Sequence, residues 1–227
     1  MTSRASPRRR GRPARVSREQ ILESALRIVD GDGLEGLTMR RLGADLGVDP
    51  MAIYRYIPDK AALFDGLTEY VFAEIKVPAA TGDWAEDLRA VTRAARTTLL
   101  AHPAVVPLIG TRPPVTEPAF AVVEAITAIL LNAGFTEEQS ADGFDCAGRL
   151  LVGHVLAEAG RPPGGDVDGG EEEHRQAQQT LPATRFPALA RVHQAGVRHD
   201  SNRLFELALD GLVRALMAEH TQNAVPG

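Results

Sequence analysis

The chain has 227 residues, 25 Lys and Arg against 30 Asp and Glu, a net charge of −5 and a single cysteine. That length allows one large core or two small ones. The lone Cys146 excludes an internal disulfide framework and fits a reducing cytoplasm, and no apolar run approaches the roughly 18 residues of a membrane span.

Residues 1–16, MTSRASPRRRGRPARV, mix Pro, Gly, Ser and Arg without periodicity, so we expect disorder in isolation. No apolar segment follows them, which argues against a secretory signal. Residues 1–18 hold seven arginines and no acid; residues 19–77 hold six basic and eleven acidic side chains, and residues 78–227 twelve and nineteen. A basic arm on an acidic body either meets a polyanion locally or serves only as a solubilising tail.

The first helix is expected from Ser17, with Ser17 and Gln20 forming a capping box. Ile21, Leu22, Ala25, Leu26, Ile28 and Val29 then recur at helical spacing until GDG at 31–33 stops it. Thr38 caps a short second helix with Met39, Leu42 and Leu46 on one face, and Gly47 supplies a left-handed C-cap. Asp49 caps a third helix of two turns, Pro50 to Tyr56, with Pro50 at its first position. Leu42, Leu46, Val48 and Ile53 are expected in the core. Pro58 ends that helix and Asp59 caps the next, which carries Leu63, Phe64, Leu67, Tyr70, Val71 and Ile75. Pro78 and AATGD mark a boundary.

Longer helices fill the second half. Asp83 caps one that runs to about His102, followed by a short apolar piece, AVVPLIGTRPP. The next covers about Glu117–Ala133. Thr136 caps another, to about Ala159, with Phe144, Ala147, Leu150, Leu151, Val155 and Leu156 along its apolar side. Residues 160–170 are rich in Gly, Pro and Asp and 171–185 are polar, which reads as a long mobile loop; GEEEHRQ within it reads as a solvated charge run. Phe186–Gln194 forms a short helix. Ser201 caps the last, with Leu204, Leu207, Ala208, Leu212, Val213 and Leu216. We find no repeats and no alternating strands, and we expect an all-α fold. Cys146 is expected to be buried, and the six histidines form no ligand cluster by spacing.

The second and third helices, joined at Gly47, form a helix-turn-helix pattern. In that geometry the first helix braces against phosphates and the second enters the major groove. Arg55 suits phosphate or guanine, and tyrosine hydroxyls suit phosphates.

The stretch TMRRLGADLGVDPMAIYRYIPDKAALFDGL, 38–67, resembles the helix-turn-helix of the tetracycline-repressor (TetR) family. The resemblance implies an all-α homodimer, with an N-terminal three-helix helix-turn-helix domain and a larger C-terminal helical ligand-binding and dimerisation domain. It divides the chain into an arm at 1–16, a DNA-binding domain at 17–77 and an effector domain at 78–227. It assigns Thr38 and Arg40 to phosphate and base contacts, and Pro50, Met51 and Ala52 to the groove-facing start of the recognition helix. Tyr54 and Tyr56 become backbone anchors, with packing between helices as their alternative, and Lys60 a phosphate donor. Within the arm, RGRP at 10–13 resembles a minor-groove hook, which would place Arg10 and Arg12 in a narrow groove.

The second half resembles the drug-sensing members of this family more narrowly, through LIGTRPP at 108–114, Trp84, LLAHP at 99–103, VGHVL at 152–156 and FPALARV at 186–192. That resemblance implies effector contacts at Val91, Ala95, Leu108, Thr111, Arg112, Ile126, Leu130 and His154. Those sensors hold a magnesium–tetracycline chelate. Here Leu108 replaces the metal-binding histidine, Ala157 replaces a glutamate, and Val91 and Ala95 replace an Asn and a Phe. Leu and Ala offer a hard cation no ligand. We therefore expect no metal and no cofactor, but a more apolar effector met by Arg112, Thr111 and His154 as the few polar groups. Arg112 is equally suited to pairing with a carboxylate.

Two function classes follow. One is a cytoplasmic, homodimeric repressor that binds a palindromic double-stranded DNA operator and is released by a small effector, with no membrane partner. Its helices at 136–159 and 201–220 would pair across the two-fold axis, and the effector would act through the fourth helix. The other is a helical enzyme or binding module that kept the fold. No nucleophile–base pair, phosphate loop or paired carboxylates stand at a diagnostic spacing, which argues against an enzyme.

Overall fold

The computed structural model describes residues 16–159, 182–196 and 200–223. Every regular element among them is helical, in two compact units that divide between Tyr70 and Val71.

In the first unit, α1 (Arg18–Asp32) begins at the Ser17–Gln20 capping box, with both reciprocal hydrogen bonds formed. All six residues of its expected stripe are buried. Gly33, at φ 71°, ends it. A single 3-10 turn, Leu34–Gly36, leads to α2 (Met39–Leu46), which Thr38 caps through its hydroxyl and Gly47 ends in the left-handed conformation, φ 64° and ψ 31°. α3 is shorter than expected: its regular part is one turn, Pro50–Ile53, and Tyr54–Tyr56 form a tightened turn. Pro58 is the reason, since a proline disfavours helical backbone in the residue before it. Ile57 still donates its N–H to the Ile53 carbonyl, so the turn keeps a helical course. Leu42 and Ile53 are fully buried, whereas Leu46 and Val48 are only half-buried at the rim of this small unit.

α4 (Lys60–Glu74) starts at Asp59, whose carboxylate accepts from the Ala62 N–H. Its Gly66 lies against Leu22 of α1 so closely that a Cβ would fall 2.5 Å from a leucine methyl. Arg18 joins Glu69 across the same contact.

The second unit contains α5 (Trp84–Ala101), α6 (Val106–Thr111), α7 (Glu117–Asn132), α8 (Glu137–Glu158), α9 (Pro187–Gln194) and α10 (Ser201–Asn223). Asp83 caps α5, and Thr136 caps α8 through a capping box with Gln139. The apolar piece after α5 is itself helical, a 3-10 turn at Pro103–Val105 that runs into α6; prolines sit in the first turn of each, where a missing N–H costs nothing. One core joins Leu88, Val91 and Ala95 of α5, Val122, Ile126 and Leu130 of α7, Phe135, and Val213 and Leu216 of α10.

Three expectations change here. Asp200, not Ser201, caps α10: its carboxylate accepts the Arg203 N–H and its carbonyl the Leu204 N–H. α10 buries Phe205, Leu209, Val213 and Leu216, while Leu204, Leu207 and Ala208 face outward. Cys146 is exposed on α8, because Gly143 and Ala147 take the inward positions of that turn. Of the expected loop at 160–185, residues 160–181 lie outside the described residues, and 182–185 are non-helical.

Candidate nucleic-acid interface and effector site

The first unit fixes α2 against α1 through a polar cluster. The Ser24 hydroxyl, itself fully buried, donates to Asp45 at 2.6 Å, and Arg27 donates to the same oxygen at 2.9 Å. The serine hydrogen bond and then the guanidinium hold the Asp45 carboxyl below its usual range. Arg41 is tied to Asp32 of α1. Its neighbour Arg40 is exposed and, among the described residues, has no partner. Of the basic pair at 40–41, one therefore serves the scaffold and the other is left for a ligand.

Thr38 accepts the Arg41 N–H at 3.1 Å. A hydroxyl that accepts can still donate its own proton, so the cap leaves Thr38 able to reach a phosphate. The turn into α3 is tight, and a Cβ on Gly43 would lie 2.9 Å from the Val48 carbonyl oxygen and 3.2 Å from Pro50 Cγ. Asp49 caps α3 at the Met51 N–H. Beyond this turn Ile53 and Ile57 point into the core. Met51 is 69% exposed and Tyr54 and Tyr56 are also exposed; Pro50 and Ala52 are half-buried. Lys60, exposed at the start of α4, lies with its Nζ 5.2 Å from the Phe64 ring centre. Arg10 and Arg12 lie outside the described residues.

In the second unit, Val91, Ala95, Ile126 and Leu130 fall into one buried apolar cluster. Leu108 is buried outside it, on α6. Thr111 ends α6, its hydroxyl donating to the Pro107 carbonyl at 2.7 Å, and Arg112 follows in extended backbone. α6 packs on α8 at Gly110, where a Cβ would meet Val152 at 2.9 Å. His154 lies two residues on, its Nε2 2.9 Å from the Ser201 carbonyl oxygen and its ring 5.2 Å from that of Phe205. A carbonyl only accepts, so Nε2 carries the proton.

Sequence reasoning missed the polar framework of this unit. Arg89, Arg93 and Arg96 of α5 meet Asp210, Glu206 and Asn202 of α10 in antiparallel order, at 3.0, 2.7 and 2.9 Å. Arg96 also forks onto Glu158, the last residue of α8, and lies 4.6 Å over the Phe205 ring. The hydrogen bond from Arg93 holds the Glu206 carboxyl below its ordinary 4.5. The only hint in the sequence is the i, i+4, i+7 spacing of the three arginines on one helix face; their partners on α10 lie more than a hundred residues away.

Comparison with known proteins bears on both units. Residues 21–67 match the model for bacterial regulatory proteins of the tetR family, and residues 78–219 match the tetracyclin repressor-like C-terminal domain. The HTH-type transcriptional repressor DrrR1 of Streptomyces coeruleorubidus is 27% identical over 96% of this chain and 84% of its own length. The class A tetracycline repressor protein from transposon 1721 of Escherichia coli is 30% identical over 86% of this chain and 89% of its own. Among solved structures, ActR from Streptomyces coelicolor in complex with actinorhodin superposes with a TM-score of 0.78 at 29% identity, covering 91% of this chain and 99% of that one.

Proposed function

The chain belongs to the tetR family of bacterial regulatory proteins, as a ligand-responsive transcriptional repressor, and on that premise we propose how it works. It is a cytoplasmic regulator and not an enzyme. It acts as a homodimer on a palindromic operator and leaves it when a small, largely apolar effector binds the second unit. Residues 17–77 serve DNA, residues 78–227 the effector and the partner subunit, and the arm at 1–16 reaches the minor groove through Arg10 and Arg12.

The observation that carries the DNA reading is the two-sidedness of α3. Ile53 and Ile57 are buried, while Met51, Tyr54 and Tyr56 are exposed beside an unpartnered Arg40. Thr38, Arg40, Pro50, Met51, Ala52, Tyr54, Tyr56 and Lys60 then divide between base edges and phosphates. Dimerisation is supported by α8 and α10, whose outward lines expose Leu156, Leu204, Leu207 and Met217 on helices already packed on their other face. An apolar effector is supported by Val91, Ala95, Leu108, Ile126 and Leu130, none of which offers oxygen to a metal, with Thr111, Arg112 and His154 as polar contacts.

The test is a gel shift on the DNA flanking the protein's own gene, alongside mass by size exclusion. A dimer that shifts the fragment and releases it on addition of actinorhodin or of a small apolar compound supports the reading. A monomer that binds no DNA at any salt concentration sinks it.

A further inference from the structure

We propose that Arg55 reads a guanine in the major groove and is the principal base-specific hydrogen-bonding group of α3. This rests on the reading of α2 and α3 as the DNA-binding element. The backbone from Pro50 to Ile57 keeps a helical course, since Tyr54 donates to the Pro50 carbonyl and Ile57 to that of Ile53. At about 100° per residue, Met51 and Arg55 both fall about 160° from Ile53, the residue that points straight into the core. They are four residues apart and so are neighbours on the outermost line of the element. Tyr54 lies about 100° to one side of Ile53 and Tyr56 about 60° to the other, on the flanks.

The environment of Arg55 agrees. It is exposed, and among the described residues it has no partner. The two acids that bracket it in sequence are both engaged as helix caps, Asp49 with the Met51 N–H and Asp59 with the Ala62 N–H, each at 2.8 Å. Among the described residues, no acid forms an ion pair with the guanidinium. Pro50, Met51 and Ala52 carry no hydrogen-bonding side chain, so any direct reading by this ridge beyond methyl contacts falls to Arg55. Arginine forks onto guanine N7 and O6 with a geometry no other base offers. The flanking tyrosines are placed for the groove walls, where the phosphates run.

The experiment starts from a double-stranded DNA pool with a randomised core, from which the full-length protein selects its preferred site. Binding of wild type, Arg55→Ala and Arg55→Lys is then measured on every single-base-pair variant of that site. The expected result is one G·C pair in each half-site at which wild type discriminates about tenfold to a hundredfold and both variants do not. Discrimination elsewhere stays intact, and the thermal midpoints match wild type because Arg55 has no internal partner. Uniform weakening on every sequence, with a salt slope smaller by about 0.9 per lost contact, would make Arg55 a phosphate clamp and overturn the proposal. Unchanged binding overturns it too. If wild type selects no preferred sequence, the repressor reading itself fails, a result separate from any behaviour of the variants.

Discussion

Replacing Gly43 by valine tests how closely the turn between α2 and α3 is built. The glycine is buried in α2, and an added Cβ would lie 2.9 Å from the Val48 carbonyl oxygen, about half an ångström inside ordinary contact. That oxygen belongs to the backbone of the turn, which is also tied by the Val48 N–H to the Gly43 carbonyl at 2.9 Å. It cannot rotate away as a side chain would. Alanine gains up to about 1 kcal/mol of helix propensity over glycine, which offsets part of the cost of shifting the turn, so Gly43→Ala should be the milder of the two changes. Valine adds two methyl groups beside Pro50 and recovers less propensity, so overpacking of about 1–3 kcal/mol should dominate. For a unit of this size each kcal/mol moves the midpoint by about 4–8 °C. The same shift moves α3 by a few tenths of an ångström, enough to misplace a reading head. Calorimetry and a gel shift on the selected operator are the assays. Wild-type stability together with wild-type affinity in Gly43→Val would refute the close approach of α2 to the turn.

Arg40→Ala should relax sequence preference, whereas Tyr56→Phe should weaken all sequences alike; the reverse pattern would mean that α3 meets the groove on a different face. Removing residues 1–16 should weaken binding and flatten its salt dependence by about 0.9 in slope per lost phosphate contact, and an unchanged slope would refute a DNA role for the arm. Glu206 titrates below its ordinary 4.5 because Arg93 hydrogen-bonds it, so its contribution to stability is present above that pH and is lost as pH falls through its folded value. Arg93→Ala should therefore flatten the acid limb of stability against pH, read by urea denaturation, and leave it unaltered if the ladder contributes nothing. Leu207→Glu, on the outward face of α10, should convert the dimer to monomer by size exclusion, and a stable dimer of that variant would move the interface elsewhere.

What the sequence made legible depended on whether the relevant physics was local. The capping box at Ser17, the cap at Thr136 and the left-handed glycine at 47 join residues a few positions apart, and all three stand where the local sequence puts them; the reciprocal bond between Thr136 and Gln139 is added by the structure. The α1 stripe was readable because that helix has one apolar face and one polar face. α10 has apolar residues on two faces. Periodicity cannot say which of them meets the core, and a stripe drawn through Leu204, Leu207 and Ala208 follows the outward face and passes over the buried Phe205 and Leu209. The same ambiguity concealed the exposure of Cys146. α3 was overestimated because two opposed signals overlap there: helical spacing through Tyr56, and a proline at 58 whose effect reaches back one residue.

The site divides along the same line. The proposed DNA contacts from Thr38 to Lys60 lie within one contiguous stretch, apart from Arg10 and Arg12 of the arm, and their identities carry enough geometry to suggest roles. The proposed effector positions come from α5, α6, α7 and α8, helices tied by contacts such as Arg96 with Glu158, 62 residues apart, and by α5–α10 pairs such as Arg89 with Asp210, 121 apart. No local pattern announces such pairs. They also bear on selectivity. Arg96 and Glu158 each follow a position, Ala95 and Ala157, where the tetracycline-sensing pattern differs from this chain. The carboxylate of Glu158 is committed to a guanidinium that also grips Asn202 and covers Phe205. Freeing that carboxylate would break its hydrogen bonds to Arg96 and leave the guanidinium without its counter-charge on α8. The same framework that ties α8 to α5 and α10 thus engages the carboxylate of Glu158, and it stands beside the replaced metal ligands as a reason to expect an apolar effector.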